Sequence, residues 1–325
     1  MDVSIVIVNW NTCDILRDCL VSIYKETKDI EFEVIVVDNA SNDGSPQMVK
    51  SEFPQVCLIV NEQNLGFAAA NNRGIEIASG RYVLLLNSDT VILDNAITKT
   101  LYFADENHQA GIVSCRVCNP DMTTQDTCFM FPSLLNMVLS DTYLSRLFPK
   151  STFFGRERMA WFVWDKAFEL DVIAGCFMLV RASVFEQVGV MDDSFFMYGE
   201  ETDWCYRINQ AGWKVMYTPH TFIIHLGGQS SSQVKSRMVL QLKGGILQFM
   251  QKHKSWLEYK LACMLVGLFF AVRIPVWFVW SLLNREKRSY CLMRMNTYIK
   301  GLKKLVCEGV RGLCHNKVEV RSCGE

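Results

Sequence analysis

The chain has 325 residues, with 33 Lys and Arg against 34 Asp and Glu, for a formal net charge of −1. That length holds one large domain plus something smaller. Seven Pro and 19 Gly exclude collagen-like and disordered classes, and the even charge balance argues against a nucleic-acid binder, which needs a basic surplus.

Val3 to Asn9 is a β-branched apolar run, as expected for a strand buried on both faces. Asp14 to Lys28 follows as a helix, with Ile15, Cys19, Leu20 and Ile23 on one face. Glu33 to Asp38 is the next strand, closed by the turn-rich run Asn39 to Ser45. A further helix, a strand over Val56–Val60, a helix over Ala68–Ser79 and an apolar strand over Tyr82–Leu86 continue the alternation. The pattern predicts a mostly parallel, doubly wound sheet, in which ligands bind at the carboxyl ends of the strands. Those ends are polar: Asn9-Trp10-Asn11, Asp38-Asn39 and Asn87-Ser88-Asp89.

A second stretch, 118–232, opens with an aromatic-rich segment of little periodicity, read as a long loop region of the kind that carries specificity. Asp171–Val180 then reads as one strand and Ser183–Val188 as a short helix. Phe195–Ile208 puts acids at the start of a helix ending near Gly212, and Lys214–Tyr217 and Phe222–His225 read as two short strands.

The third stretch, 233–325, begins with an amphipathic helix over Val234–His253. Leu261–Leu283 contains one charge, Arg273, and one proline, Pro275. As one helix it is about 34 Å long, enough to cross a bilayer core of about 30 Å. The central charge and proline favour two short halves, Leu261–Val272 and Ile274–Leu283, lying in or re-entering the interface, over a true span or a buried hairpin. From Asn284 to Glu325 ten Lys and Arg face four Asp and Glu, a net of +6, while the first 283 residues carry −7. A basic tail on an acidic body suits an anionic phospholipid surface. The 13 cysteines are scattered and no secretory pattern opens the chain, which points to reduced thiols in the cytosol. Cys115-Arg-Val-Cys118 has metal-type spacing but lacks a second pair, so plain thiols are the better reading.

Five motifs occur in order: Ser4-Ile-Val-Ile-Val-Asn-Trp-Asn11, Val37-Asp-Asn-Ala-Ser-Asn-Asp-Gly44, Asn64-Leu-Gly-Phe-Ala-Ala-Ala-Asn-Asn-Arg-Gly74, Leu86-Asn-Ser-Asp-Thr90 and Phe196-Met-Tyr-Gly-Glu-Glu-Thr-Asp203. Together they resemble a family 2 inverting glycosyltransferase of the GT-A fold, in the rhamnosyltransferase-like subgroup of bacterial surface polysaccharide assembly. The likeness covers about Val3 to Ser231. It implies an α/β catalytic domain over 1–232, with a nucleotide-sugar half (1–117) and an acceptor half (118–232), and a helical membrane-associating tail over 233–325.

The resemblance assigns roles to the polar residues. Asp38 is expected to accept hydrogen bonds from a pyrimidine or ribose; an Asx turn closing the loop is the alternative. Asn39 stands where many relatives carry a second Asp. Asn9, Asn64, Gly66, Asn72, Arg73, Asn87 and Ser88 complete the expected nucleotide-sugar set, against a plain loop-and-cap reading for those near the third motif. Asn87-Ser88-Asp89 resembles the family's Asp-x-Asp, with Asp89 its one charged ligand for Mg2+ or Mn2+, and His225 matches a second metal contact. Glu201 is the expected base, one methylene longer than the family's usual Asp, with Asp203 in reserve. Glu200 and Trp204 are expected to meet the acceptor, Trp204 being equally readable as core. The Gly227–Ser232 loop either covers the diphosphate or links elements. The implied partners are a dTDP- or UDP-sugar donor, dTDP-rhamnose by subgroup, a glycan or polyprenyl-linked acceptor, and the cytoplasmic face of the membrane through 261–325. A non-catalytic relative stays open, because Asn87 and Glu201 depart from the pattern. The first βα turn has no Gly-rich fingerprint, which argues against dinucleotide binding.

Overall fold

The structure, a computed structural model, describes residues 1–159, 161, 164–228 and 235–314. Strands β1 (Val3–Asn9), β2 (Phe32–Asp38), β3 (Cys57–Val60) and β4 (Tyr82–Asn87) pair in parallel in the order β3-β2-β1-β4. The chain leaves β1 toward β2 and β3, then returns to place β4 on the other side, so the strand order reverses beside β1. A crevice opens at such a point.

The apolar runs alternate between two cores. Val3, Ile5 and Ile7 of β1, Val34 and Val36 of β2, and Leu84 and Leu86 of β4 face one core. There they meet α1 (Cys13–Glu26), α2 (Ser45–Glu52) and α4 (Ala96–Glu106) through residues such as Leu16, Leu20, Val49 and Leu101. Val6, Ile35, Val37, Val83 and Leu85 face the other, against α3 (Phe67–Ile77) and α8 (Glu200–Gln210). Helices on both faces are why these strands read as unbroken hydrophobic runs.

The sheet continues past β4 through β10 (Phe177–Arg181), β6 (Ala110–Cys118), β11 (Lys214–His225) and β5 (Thr90–Ile92), with β8 (Phe168–Leu170) also on β11. β10 runs antiparallel to both β4 and β6. Two expectations need correction here. The strand expected over Asp171–Val180 is split into β9 (Val172–Ile173) and β10, because the Ala174 N–H turns to the Thr127 carbonyl (2.8 Å) and the Cys176 carbonyl accepts from Asn87 N–H (3.1 Å). The two short strands expected over 214–225 are one strand, whose register against β6 jumps between Thr218 and Phe222 around Pro219, as a bulge allows.

The segment after β6 is more ordered than its sequence suggests. β7 (Cys128–Phe129) pairs with β9, and α5 (Leu134–Asp141) and α6 (Leu144–Leu147) follow, with a Ser133 side chain capping α5. The last helices, α9 (Lys235–His253), α10 (Trp256–Leu283) and α11 (Arg288–Cys314), share a third core with α5, containing Met137, Leu247, Phe249, Val266, Phe270 and Tyr298.

α10 is a single helix of 28 residues running through Pro275, about 42 Å long, which corrects the expected break into two halves. A Ser255–Glu258 capping box starts it, and packing of Ala262, Val266 and Phe270 against α9 and α11 holds it where proline alone would kink it. Arg273 folds back instead of facing outward. Its Nη2 donates to the Asp141 carbonyl (2.8 Å), and its guanidinium lies 3.7 Å from the Phe269 ring centroid. The opposite face leaves Leu261, Met264, Leu268, Val272, Val276 and Val279 exposed. α10 is long and apolar enough to cross a membrane, and most of its apolar stretch is not buried within the described residues. The twelve described cysteines carry free thiols. Residues 229–234, which contain the expected boundary near 232, and the end of the basic tail, 315–325, lie outside the described residues.

Candidate active site

A cavity of about 450 Å³ opens at the carboxyl ends of β1 and β4. Its wall on the β1 side includes Val8, Trp10, Asn39, Asn64 and Gly66. Its floor carries Asn87, Ser88, Asp89 and His225, and the opposite wall carries Phe196–Tyr198, Glu200 and Glu201. Eight of the residues expected at the site therefore meet in one space. Gln125, Asp126, Thr127 and, from α9, Met238 and Gln241 also line it.

On the first wall the polar side chains bind one another. Asp38 is 1% exposed and does not line the cavity. One carboxylate oxygen accepts from Ser41 N–H (2.9 Å), which is the Asx turn, and the other from Asn9 Nδ2 (3.0 Å). Asn9 is fully buried, its Oδ1 accepting from Thr12 Oγ1 at 2.6 Å. Asn39, one residue on, does reach the cavity. It donates to Asn64 Oδ1 (3.2 Å) and the Gly66 carbonyl (3.0 Å), and accepts from Asn61 Nδ2 (2.8 Å). Gly66 has φ +87°, and a Cβ there would sit 2.3 Å from the Phe196 carbonyl, so the glycine admits the acidic loop rather than only a ligand. Asn72 and Arg73 stand away from the cavity. Asn72 holds the Met191 backbone through both amide atoms (2.8 and 3.1 Å), and Arg73 donates to Asn61 Oδ1. The expected donor-binding roles of Asn9, Asp38, Asn72 and Arg73 thus fall on side chains used to shape the loops.

On the floor, β4 and β11 bring Asp89 and His225 together, with Oδ1 and Nε2 3.1 Å apart. The ring's protonation follows from Gln125. Its amide nitrogen donates to the His225 carbonyl (2.6 Å) and to Asn119 Oδ1 (2.9 Å), so its oxygen faces Nδ1 at 2.9 Å and Nδ1 must carry hydrogen. In a neutral ring the Nε2 lone pair then points at the Asp89 carboxylate. Asn87 Nδ2 adds a contact at 3.3 Å. A carboxylate and an imidazole side by side are oxygen and nitrogen donors of the kind a divalent ion takes, and Gln125 orients the ring for it. No group of three or more His, Cys, Asp or Glu among the described residues forms a self-sufficient metal site. Two protein ligands completed by phosphate oxygens suit Mg2+ or Mn2+. Ser88 is buried beside them, 3.1 Å from Thr12 Oγ1.

On the far wall, Glu200 and Glu201 open α8. Among the described residues Glu200 Oε2 has no hydrogen-bond partner, although the residue is 3% exposed. Burial, and after it the Glu201 charge, push the Glu200 pKa well above the carboxylate range. Burial also raises Glu201, whose Oε2 accepts from Gly199 N–H at 3.3 Å. The turn that delivers them is strained: Tyr198 has φ +67° and Gly199 φ +112°.

Asp203 and Trp204 stand away from the cavity: Trp204 takes the core reading that its sequence left open, and Asp203 does not reach the site as the reserve base. Trp204 is fully buried against Phe185, its indole N–H donating to the Gly189 carbonyl (3.0 Å). Asp203 is fully buried outside the cavity lining, between Arg207 (2.8 Å), Lys252 (2.6 Å) and His253 (2.7 Å). Burial opposes its charge, but hydrogen bonds from Lys252, His253 and Arg207 hold its pKa below the usual value. A carboxylate so paired is a poor proton acceptor. Of the expected covering loop, Gly227 and Gly228 are described and Gly228 lines the cavity; the remainder lies outside the described residues.

The mixed sheet, its covering helices and the crevice at the strand ends define a GT-A-type fold. The mannosyltransferase PcManGT from Pyrobaculum calidifontis, solved with GDP-Man and Mn2+, superposes with a TM-score of 0.53 at 14% identity, over 94% of this chain and 87% of that one. GalNAc-T7, solved with UDP, GalNAc and Mn2+, gives 0.56 at 17% identity, over 80% and 49%. Residues 4–189 match the profile of Glycosyl transferase family 2, and the chain belongs to that family. It is 28% identical over 270 residues to the N-acetylglucosaminyl-diphospho-decaprenol L-rhamnosyltransferase of Mycobacterium tuberculosis, covering 78% of this chain and 86% of that protein. It is 26% identical over 225 residues to the O-antigen biosynthesis protein RfbC of Myxococcus xanthus, covering 69% of this chain and 17% of that protein. The chain is thus a family 2 glycosyltransferase.

The sequence reading missed Gln125, Asp126, Met238 and Gln241. Gln125 acts across the sheet on a residue 100 positions away, and the α9 pair lies beyond the last motif; neither leaves a local pattern.

Proposed function

We propose that the chain moves a hexose from a dTDP- or UDP-sugar, with dTDP-rhamnose as first choice, onto a polyprenyl-diphosphate-linked glycan, inverting the anomeric centre. The observation that carries this is one cavity holding both the Asp89–His225 pair and the Glu200–Glu201 pair. The mycobacterial relative, whose name specifies L-rhamnosyl transfer to a diphospho-decaprenol acceptor, supports the choice of sugar and acceptor.

The nucleoside end lies along Val8, Trp10, Asn39 and Asn64, where an aromatic face and amide groups suit a base and ribose. Mg2+ or Mn2+ held by Asp89 and His225 supplies charge neutralisation for the departing diphosphate. Glu201 takes the proton of the acceptor hydroxyl as that oxygen attacks the anomeric carbon. The carbon–phosphate oxygen bond breaks on the opposite face, and the nucleoside diphosphate leaves with the electron pair. Burial, and at Glu200 also the Glu201 charge, raises both carboxyls, Glu200 well above the usual range, so in this reading a neutral Glu200 donates a hydrogen bond to the acceptor while Glu201 accepts.

Residues 1–232 carry the reacting groups in this reading, and 233–325, whose first helix also borders the cavity, hold the chain on the cytoplasmic face of the membrane. The exposed apolar face of α10 and the Lys and Arg of α11 support a helix lying in the interface. A crossing α10 would draw Arg273 and its Asp141 contact into hydrocarbon, at about 3 kcal/mol per charge.

The test is a titration of the purified chain with dTDP, UDP, GDP and NAD, with and without Mn2+, following thermal stability. A Mn2+-dependent rise with one pyrimidine diphosphate is expected. No rise with any nucleotide would leave only the fold.

A further inference from the structure

We propose that α9, which lies outside the family match, is part of the catalytic apparatus, and that its Lys252 is a positioning residue for Glu201. The proposal rests on the reading of Glu201 as the base. The acids are delivered by the segment 192–203, and α9 grips that segment along its whole length. Near its start, Gln248 Nε2 donates to Ser194 Oγ (2.7 Å). At the turn, Gly245 lies so close that a Cβ would sit 1.9 Å from the Tyr198 carbonyl. At its end, His253 Nε2 meets Asp203 Oδ1 at 2.7 Å.

Lys252 ties the two ends together. Its Nζ lies 2.5 Å from Asp192 and 2.6 Å from Asp203, so one ammonium closes the segment into a loop. Between those anchors stand Tyr198 and Gly199 with positive φ. A strained turn of this kind persists only where its surroundings over-determine it. Asp203 keeps Arg207 and His253 when Lys252 is removed, so the buried carboxylate stays paired. Loss of Lys252 therefore releases the Asp192 end and the turn, not the fold.

The experiment compares wild type, Lys252→Met and Lys252→Arg by transfer kinetics and by hydrogen–deuterium exchange. Lys252→Met is expected to lower kcat about tenfold to a hundredfold, the range for a catalytic group displaced by about an ångström. Donor KM should stay within about twofold, because the donor wall is untouched, and Lys252→Arg should restore most of kcat. Exchange should rise in the 192–203 peptide and stay unchanged in β1–β4. A wild-type kcat in Lys252→Met, or unaltered exchange over 192–203, overturns the proposal; so does a loss that Lys252→Arg fails to restore. The exchange measurement needs no substrate, so it reads this inference even where no nucleotide sugar is turned over and the assignment of Glu201 itself fails.

Discussion

At the donor wall of the cavity Asn39 and Asn64 line the space with Asn9, Asp38 and Asn61 behind them, and all five use their polar atoms on one another and on the loop backbone. At the acid wall, Glu200 is just as buried, yet one carboxylate oxygen has no partner among the described residues. The donor wall has its polar groups satisfied within the protein. The acid wall holds an uncompensated charge cost, and that cost raises the Glu200 pKa. Burial of polar groups thus does opposite work on the two sides: where partners are supplied it gives structure, and where they are withheld it tunes a pKa.

The comparison is broken most severely at Glu201. Glu201→Gln is expected to lower kcat by about 10²- to 10⁴-fold with donor affinity nearly intact, read by transfer assay and calorimetry. A small loss in kcat would remove Glu201 from the base's role. Asp89→Ala comes next: Mn2+-dependent donor binding should weaken at least about tenfold, and equal affinities with and without Mn2+ in wild type would refute the site. On the donor wall the readout is stability. Asp38→Ala, which strands Ser41 N–H and leaves Asn9 Nδ2 only the Ser41 hydroxyl, should cost about 1–3 kcal/mol in denaturant unfolding.

Glu200→Gln is the smallest and most diagnostic change. A carboxyl whose folded pKa is raised contributes stability that is complete below its unfolded pKa and is lost as pH rises through the folded one. The Gln variant should therefore match wild type near pH 4 and gain melting temperature over it toward pH 8. Asp203, with its pKa lowered, runs the other way: its contribution is present above the unfolded pKa and disappears in acid, so Asp203→Asn should be most damaging at neutral pH. For the membrane face, deletion from Leu261 is a poor test, because Val266 and Phe270 belong to the core shared with α9. Leu268→Glu with Val272→Glu alters only the exposed face and should release the chain from anionic vesicles in flotation.

Much of the donor half was legible because its signals are local. A β-branched run, a polar strand end and a helix with one apolar face each follow from neighbours in sequence, and β1 to β4 appear within a residue or two of where periodicity puts them. The acid pair was legible for the same reason, as charges at a helix start. Asp203 and Trp204 were not. Both sit on the same short helix as Glu201, and only the packing of α9 and α7 (Ala182–Val188) decides that they turn away from the cavity. The unbroken course of α10 through Pro275 is equally tertiary, since its own sequence argues for a break.

The sequence by itself determined the parallel sheet, the polar strand ends and the order of the motifs, since each depends on contacts within one element or its neighbour. Tertiary structure alone decided which polar residues face the cavity and which brace the loops. It also made Gln125 the partner of His225 and turned the C-terminal helices into a support for the acid loop. Those outcomes depend on contacts between residues tens to a hundred positions apart, whose free energy no local pattern records.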